Sequence, residues 1–454
     1  CDRHIPLCIQ SLCMDTRAKL KTAIVEWQES ALPFVHIRNR PIQMDLPHIH
    51  DIIGVRRCGK TYFMYQLISD LLMHGVPKSS VLYLNLDDDR LQPIQGDELS
   101  QLIDTFRELY ASSDDQKLYF FLDEIQNFPL WEKWLKGIYD KRKNIKFVIS
   151  GSNASLLSED ISSRLTGRHL TTRMFPFSFF EFLKYKNISF DLKTIAYSDK
   201  KIEIKRIFNE YLVRGGFPEV IIYPAGDHIT LLQSYFDDII YRDIVSRHGV
   251  RNPKIFKELA LFCVSNIAKP HTYNSLKRLF SDYQSLSTDA IIRYLSYLED
   301  AFLLFSVNHY DTSLKRQIQK PKKLYCIDHG MMQAVSFRFS NDIGRIFENI
   351  VYIALLRQGK EIYYWQDEKG FEVDFVIKSR DDSIRLIQVS VDISDPMTRE
   401  REKRGLISAM NYFEIGEGII ITSDILDEEI FQDRKITYFP LWFWLLTEES
   451  ESYI

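Results

Sequence analysis

The sequence predicts an α/β protein whose first part is built around a parallel β-sheet buried on both faces. Short, continuously apolar segments at residues 49–53, 81–86, 118–122 and 146–150 alternate with segments of helical periodicity. Strands of that kind are typical of parallel sheets covered by helices. The chain has 454 residues, and a single hydrophobic core stops growing at about 250–300 residues. We therefore expect more than one folding unit.

Charge and composition exclude several classes of protein. The 58 Lys and Arg residues against 62 Asp and Glu residues leave a formal net charge of −4, so any nucleic-acid site must be a local patch. No apolar run reaches the roughly 18 residues that cross a bilayer, and we expect no membrane partner. The six cysteines form neither a CxxC motif nor a zinc-site spacing, which favours a reduced, cytoplasmic setting over a disulfide framework.

The pattern changes along the chain and predicts four regions. Residues 1–45 are expected to form a leader and a helix, and residues 46–185 the α/β core. Helical periodicity dominates residues 200–335. From residue 340 to residue 454 the order of helices and strands is αβββαβ, which suggests a separate third domain with its own sheet.

The sharpest motif is Gly54-Val-Arg-Arg-Cys-Gly-Lys-Thr61, which has the GxxxxGK[ST] pattern of a phosphate-binding loop. In this pattern the glycines let backbone amides converge on phosphate oxygens, Lys60 reaches the β- and γ-phosphates, and the Thr61 hydroxyl contacts Mg²⁺. The motif lies between a predicted strand and a predicted helix, as a phosphate loop requires; a Gly-containing turn ahead of a helix is the alternative. We predict that ATP contacts Gly54, Val55, Arg56, Arg57, Cys58, Gly59, Lys60, Thr61 and Tyr62.

An acidic pair, Asp123-Glu124, follows the apolar segment at residues 118–122. Carboxylates in that position lie at the carboxyl edge of a parallel sheet, where ligands of open α/β sheets bind. We expect Asp123 to hold Mg²⁺ together with Thr61, and Glu124 to orient and polarise the water that attacks ATP. An acidic pair at a strand end is by itself often an exposed turn, but its distance of about 60 residues from the phosphate loop favours the catalytic interpretation.

Two later segments contain further candidates for the catalytic site. Ser152 or Asn153, after the next strand, is a candidate to hydrogen-bond the attacking water or the γ-phosphate, with a strand-terminating turn as the alternative. Arg168, and second Arg164, are candidates to stabilise the charge that develops on the γ-phosphate. Such an arginine often comes from a neighbouring subunit, which would require a homo-oligomer; a solvated helix edge is the alternative.

Taken together, these segments resemble the prokaryotic AAA-type ATPases of archaea and bacteria. The resemblance extends over nearly the whole chain from about residue 20, and it rests on the motifs above together with residues 83–90, 165–168, 176–182 and 214–219. It implies a P-loop ATPase core of the AAA/ASCE type, a helical lid that contains residues 214–218, a winged-helix segment, and a C-terminal domain related to restriction endonucleases.

Local sequence also supports a winged helix. Residues 273–280 and 288–301 fit a helix-turn-helix, and residues 302–308 and 323–327 would be the wing strands. Candidates for contacts to a DNA duplex are Ser287, Thr288, Arg293 and Tyr294, and candidates for phosphate contacts are Lys315, Arg316, Lys320, Lys322 and Lys323. Winged helices also serve as protein–protein modules, so we expect either DNA or a protein as the partner.

The resemblance to restriction endonucleases implies positions for a nuclease site, which combines acids that hold Mg²⁺ with a lysine that assists the nucleophile. Glu348 stands at the position of the helix acid and Asp374 at that of the strand acid. Gln388 and Ser390 stand where the third ligand and the lysine are expected. Because serine supplies no cationic charge, we expect a domain without nuclease activity that serves in binding or assembly. Weak metal binding by the two carboxylates is the alternative.

The sequence thus predicts a Mg²⁺-dependent ATPase that acts as a motor or switch on DNA or a protein partner. Two other functions remain: an ATP-dependent nuclease, for example in defence against foreign DNA, and a non-hydrolysing, nucleotide-gated scaffold or regulator. Ser390 argues against the first. The intact Asp123-Glu124 pair argues against the second, because a pure binder needs no carboxylate to activate water.

Overall fold

The computed structural model describes residues 16–35, 38, 42–91, 99–111, 113–153, 167–223, 226–280, 286–336, 342–379 and 381–451. The predicted leader at residues 1–15 and the candidate Arg164 lie outside these residues. The chain forms two units: the first contains the residues up to Ile53 together with Lys60–Met174, and the second contains Gly54–Gly59 together with Phe175–Ile454. Most of the phosphate-loop motif therefore groups with the second unit, whereas Lys60 and Thr61 belong to the first.

A five-stranded parallel sheet forms the centre of the first unit. Its strands are β1 (Ile49–Ile53), β2 (Val81–Asn85), β3 (Leu118–Asp123), β4 (Ile145–Gly151) and β5 (His169–Arg173). Their spatial order is β2-β3-β4-β1-β5, so β4 lies between β1 and β3. Every residue of β1, β3 and β4 is buried. The parallel, doubly covered sheet that the apolar segments predicted is confirmed.

In the described part of the first unit, four α-helices accompany this sheet: α1 (Thr16–Glu29), α2 (Lys60–Met73), α3 (Ser100–Tyr110) and α4 (Trp131–Lys141). Helix α1 packs against α3 and β2, and the Trp27 indole donates a hydrogen bond to the carbonyl oxygen of Val81 at 2.8 Å. Helix α2 contacts β4 and buries Phe63, Leu67 and Leu71, the face that its apolar spacing predicts.

Helices dominate the first half of the second unit. They are α5 (Phe179–Tyr185), α6 (Lys200–Arg214), α7 (Pro218–Ile222), α8 (His228–Asp238), a π-helix (Ile239–Val245), α9 (Ser246–His248), α10 (Pro253–Ser265), α11 (Tyr273–Phe280), α12 (Thr288–Asp300), α13 (Leu314–Gln319) and α14 (His329–Val335). Helix α14 packs against α6, α8 and α10. Gly330 permits this packing, because a β-carbon there would lie 2.4 Å from the carbonyl oxygen of Arg214.

An eight-stranded mixed sheet forms the rest of the second unit, with helices α15 (Ile343–Arg357), α16 (Pro396–Tyr412) and α17 (Leu441–Glu451). Its strands are β6 (Leu304–His309), β7 (Lys322–Cys326), β8 (Glu361–Gln366), β9 (Glu372–Lys378), β10 (Ile384–Val389), β11 (Glu417–Thr422), β12 (Asp427–Phe431) and β13 (Arg434–Pro440). The order is β12-β13-β11-β10-β9-β8-β6-β7.

Strands β6 and β7 differ from the expectation that they form a wing. They do form an antiparallel pair, but β6 also pairs in parallel with β8 through Asn308 and Tyr363. The helical region therefore contributes two strands to the sheet of the last region, and the domain boundary expected near residue 340 stays a prediction. The physical reason lies in β7, four of whose five residues are buried, because an exposed wing would leave its apolar side chains in water.

Among the described residues, no helix combines the length and the apolar character that crossing a membrane requires.

Candidate nucleotide-binding site

The phosphate-loop motif has the local structure that its sequence predicts. Strand β1 ends at Ile53 and helix α2 begins at Lys60, so the loop Gly54–Gly59 connects a strand to a helix. Gly54 and Gly59 have φ angles of 154° and 99°, a region that only glycine enters without steric cost. Arg57 also has a positive φ, at 69°. The glycines are thus required by the curvature of the loop.

Lys60 and Thr61 begin α2 in the first unit and face the acidic pair at the end of β3. Lys60 is 4% exposed, and its Nζ lies 3.8 Å from Oε1 of Glu124. The Thr61 hydroxyl donates a hydrogen bond of 2.6 Å to Oδ2 of Asp123. Four of the residues predicted for catalysis and metal binding are therefore brought together, although they come from segments 62 residues apart.

Asp123 is almost fully enclosed, at 1% exposure. In addition to Thr61, the hydroxyl of Tyr83 donates to Oδ2 at 2.9 Å, and the hydroxyl of Ser150 donates to Oδ1. Burial, and then the charge of Glu124, raises the pKa of the Asp123 carboxyl, while the three hydroxyls act in the opposite direction. The Thr61 hydroxyl and the Asp123 carboxylate together offer the hard oxygen ligands that Mg²⁺ prefers. A bound Mg²⁺ would also stabilise the carboxylate anion.

Glu124 is held in an unusual backbone conformation. Its φ of 53° and ψ of 49° are left-handed, and its backbone N–H donates to the Ser150 hydroxyl at 3.0 Å. The Gln126 side chain donates to Oε2 of Glu124, while Oε1 faces Lys60. A non-glycine residue in this region costs about 1–3 kcal/mol, and such residues concentrate at functional sites. The two carboxylate oxygens therefore have different surroundings.

Sequence reasoning missed Ser150, Tyr83 and Gln126. Ser150 lies two residues before the predicted Ser152, on β4, the strand that pairs with β3. Its neighbours in sequence suggested a turn, and only the strand order shows that its hydroxyl meets Asp123. The candidates Ser152 and Asn153 are both buried where β4 ends. From β4, the Ser150 hydroxyl contacts both members of the acidic pair.

Arg168 is not brought to this site. It immediately precedes β5, its carbonyl oxygen accepts from the backbone N–H of Ile49 at 2.8 Å, and its Nε donates to Asp140 at 3.1 Å. Ile49 is the first residue of β1, whereas Asp123 is the last of β3, so Arg168 lies at the opposite edge of a parallel sheet. In this arrangement Arg168 does not reach the acidic pair of its own chain, and its supply to a neighbouring subunit stays a prediction.

Within the second unit, the two loop arginines contact acids of the helical region. Nε of Arg56 donates to Oδ2 of Asp243 at 3.1 Å, and Asp243 is a buried residue of the π-helix. NH1 of Arg57 lies 3.6 Å from Oε2 of Glu219, and its guanidinium lies over the ring of Tyr235 at 5.3 Å. These side chains thus anchor the loop rather than point freely into solvent.

The candidates for DNA contact have mixed surroundings. Ser287 caps α12, accepting from the backbone N–H of Ala290 at 3.1 Å, and Tyr294 packs edge-on against Phe256. Both therefore have structural contacts of their own. Exposed side chains are those of Ser287, Arg293, Lys315, Arg316 and Lys320, while Thr288 and Lys322 are half-buried.

The prediction that Lys323 contacts phosphates is wrong. Its side chain is buried, at 1% exposure, and cannot contact a phosphate backbone. Its Nζ lies 2.9 Å from Glu348 and 3.0 Å from Asp374, the two acids singled out in the nuclease comparison. Burial, and then the charge of Asp374, raises the pKa of Glu348 to about 8. Ser390, where a lysine was expected, is buried, and its backbone N–H donates to Ile421.

Gln388 does not offer its carbonyl oxygen to a metal in this arrangement. That oxygen accepts from the backbone N–H of Asp374 at 3.1 Å, and the amide nitrogen donates to Glu402 at 2.7 Å. Gln388 therefore acts as a bridge between β9 and α16.

Comparison with known proteins agrees with the local structure of the first unit. Residues 47–183 match the family described as AAA domain, and residues 205–342 and 343–444 match two domains of unknown function, DUF8612 and DUF4143. An uncharacterized protein of Methanocaldococcus jannaschii is 36% identical, over 90% of this chain and 91% of its own length. An uncharacterized protein of Haemophilus influenzae is 32% identical, over 88% of this chain and 94% of its own length.

Among solved structures, a Walker-type ATPase of Pyrococcus abyssi matches 70% of this chain and 95% of its own, with 12% identity and a TM-score of 0.41. The two sequence relatives show the family of this chain, because they are 36% and 32% identical to it over about nine-tenths of its length. The chain belongs to the family that these archaeal and bacterial relatives represent, and it carries an AAA domain at residues 47–183.

Proposed function

We propose that the protein binds Mg²⁺-ATP at residues 54–62 and hydrolyses it. The observation that carries this proposal is the meeting of Thr61 and Asp123 at 2.6 Å, beside Lys60 and Glu124. A strand–loop–helix segment with a GK[ST] end, joined to an acid at the end of another parallel strand, is the arrangement that P-loop ATPases use. The AAA domain match over residues 47–183 supports the same chemistry.

In this proposal each part of the site has one task. The amides of Gly54–Gly59 bind the phosphates, and Lys60 binds the β- and γ-phosphates. Thr61 and Asp123 would hold Mg²⁺, which would neutralise negative charge on the phosphates. A γ-phosphate competes with Glu124 for the ammonium of Lys60. Oε1 of Glu124 is then available to accept a proton from the attacking water, while Gln126 keeps Oε2 in place.

The test is a pair of substitutions at the two ends of the site. Glu124→Gln keeps the shape and the hydrogen bonding but removes the base, so we expect ATP affinity near that of the wild type and hydrolysis slowed by about 10²–10⁴-fold. Lys60→Ala should abolish measurable ATP binding, because the phosphates lose their main cation. ATP binding is measured by calorimetry and turnover by phosphate release.

Two controls make the outcome interpretable. Glu132→Gln and Lys133→Ala make the same types of change in the first turn of α4 and should leave turnover unchanged. Absence of any affinity of the wild type for ATP with Mg²⁺ would contradict the proposal. Tight binding without turnover, indifferent to Glu124→Gln, would instead favour the nucleotide-gated scaffold.

We further propose that turnover drives a switch that acts on DNA or a protein partner. The exposed basic residues Lys315, Arg316 and Lys320, on and beside α13, support DNA as the first partner to test. We also propose assembly into a homo-oligomer, in which Arg168 would act on the site of a neighbouring subunit.

A further inference from the structure

The surroundings of Lys323, in the second unit, differ from those of an ordinary surface ion pair. Nζ of Lys323 lies 2.9 Å from Oε1 of Glu348, 2.6 Å from Oε1 of Glu372 and 3.0 Å from Oδ1 of Asp374. These three acids come from α15 and from β9, whereas Lys323 comes from β7. An ammonium group has three donors and no acceptor, so all of its hydrogen-bonding capacity is used by carboxylates.

We propose that the ammonium group of Lys323 takes the place that a divalent cation would occupy among Glu348, Glu372 and Asp374. The cluster of these four residues, which we name the lysine cluster, is then a metal-free structural centre that joins β7 to α15 and β9. It is not the metal centre of a nuclease.

Protein donors also hold two of the carboxylates of the cluster. Oδ2 of Asp374 accepts from the backbone N–H of Val389 at 3.0 Å. Oε1 of Glu348, which faces the ammonium, also accepts from the Tyr325 hydroxyl at 2.7 Å. These donors fix the carboxylates around the ammonium, whereas a metal needs their lone pairs for itself.

The distances fit an ammonium better than a metal. The three carboxylate oxygens stand 2.6–3.0 Å from Nζ, the range of charge-assisted hydrogen bonds. Mg²⁺ requires about 2.0–2.1 Å and Ca²⁺ about 2.3–2.6 Å. Across the described residues, no group of three or more His, Cys, Asp and Glu side chains is arranged to hold a metal ion. The residues present therefore do not fit the metal that the resemblance to restriction endonucleases implies.

The same distances show what removal of the lysine would do. Three carboxylates would be left around one point without a counter-ion, which is strongly unfavourable in a buried place. Their oxygens stand only a few tenths of an ångström farther from that point than in a Ca²⁺ site. Loss of the ammonium should therefore create a Ca²⁺ site in a protein that otherwise has none there.

The test compares the thermal unfolding of full-length variants with Ca²⁺ and with a chelator. Lys323→Ala should lower the Tm by about 5–15 °C with chelator, and millimolar Ca²⁺ should restore a substantial part of that loss. The double variant Lys323→Ala with Asp374→Asn should show no restoration, since one ligand is missing. Lys369→Ala, an exposed lysine in the turn before β9, is the matched control and should behave as the wild type does.

A second variant and a second measurement keep the proposal testable if Lys323→Ala fails to fold. Lys323→Met keeps the side-chain volume, and we expect it to fold with lowered Tm and no response to Ca²⁺. The wild type should not bind Mn²⁺ at the lysine cluster. Calorimetric titration with Mn²⁺ should therefore give the same result for the wild type and for Asp374→Asn. Saturable Mn²⁺ binding, or metal-dependent DNA cleavage, that is lost in Asp374→Asn would overturn the proposal. So would a Lys323→Ala protein as stable as the wild type.

Discussion

Asp123 receives hydrogen bonds from hydroxyls on three different elements: Thr61 on α2, Tyr83 on β2 and Ser150 on β4. Burial opposes ionisation of this carboxyl, and each hydroxyl favours it. Ser150 has a second task, because its oxygen accepts the backbone N–H of the left-handed Glu124. One small side chain thus supports both carboxylates of the candidate site.

Ser150→Ala should consequently impair hydrolysis more than ATP binding. The pKa of Asp123, already raised by burial and then by Glu124, loses a hydrogen bond that lowers it, so the carboxylate is protonated at higher pH than in the wild type. We expect kcat to fall by about 10–100-fold and the acidic limb of the pH–rate profile to move toward higher pH. Steady-state kinetics across pH measures both.

Ser80→Ala is the control for that variant, because Ser80 is also buried and hydrogen-bonded, to Gln116, but lies before β2 and away from Asp123. It should leave the profile unchanged. An equal effect of the two substitutions would mean that Ser150 contributes only to folding.

The π-helix Ile239–Val245 is the element that holds the phosphate loop within the second unit. π-helical turns are rare and occur frequently at functional sites. This one places Asp243 against the Arg56 side chain at 3.1 Å, while α7 and α8 supply Glu219 and Tyr235 to Arg57. Given the proposed ATP site, these contacts set the position of the loop before the phosphates arrive.

Asp243→Asn should therefore raise the KM for ATP by about 3–10-fold while kcat changes much less, because the loop loses its anchor but the catalytic side chains stay. Asp243→Glu should recover part of the affinity. Asp237→Asn is the control. Asp237 lies in α8, the helix before the π-helix, and its carboxylate pairs with Lys257. A fall in kcat with unchanged KM would show that Asp243 does not position the loop.

At the scale of the whole molecule, the exposed basic residues of the second unit are the candidates for binding a partner. Exposed Lys315 and Lys320 flank the paired Arg316, and the chain as a whole carries a charge of −4. We expect duplex DNA to stimulate ATP turnover, with a stimulation that falls as salt rises, because phosphate contacts release counterions.

The double variant Lys315→Ala with Lys320→Ala should reduce that stimulation. Because about two phosphate contacts are lost, the stimulation should also fall less steeply with salt. Turnover in the absence of DNA should not change. Lys369→Ala, which also removes an exposed positive charge, serves as the control. Turnover that is indifferent to DNA at all salt concentrations would direct attention to protein partners instead.

The sequence by itself determined the parts of this protein that depend on short stretches of chain. The apolar runs of β1, β3 and β4, the glycines of the loop and the GK[ST] end specify a strand–loop–helix unit locally, because periodicity and positive φ are properties of neighbouring residues. The acid pair after β3 follows from the same logic, since parallel strands end at a common edge.

Only the tertiary structure decided which distant side chains meet. The strand order places β4 between β1 and β3 and so brings Ser150 to Asp123, and it leaves Arg168 at the far edge. The addition of β6 and β7 to the eight-stranded sheet buries Lys323 among three acids instead of exposing it on a wing. The physical reason is that strand neighbours are chosen by the burial of apolar faces from remote segments, and a charged residue then finds the partners that this burial leaves within its reach.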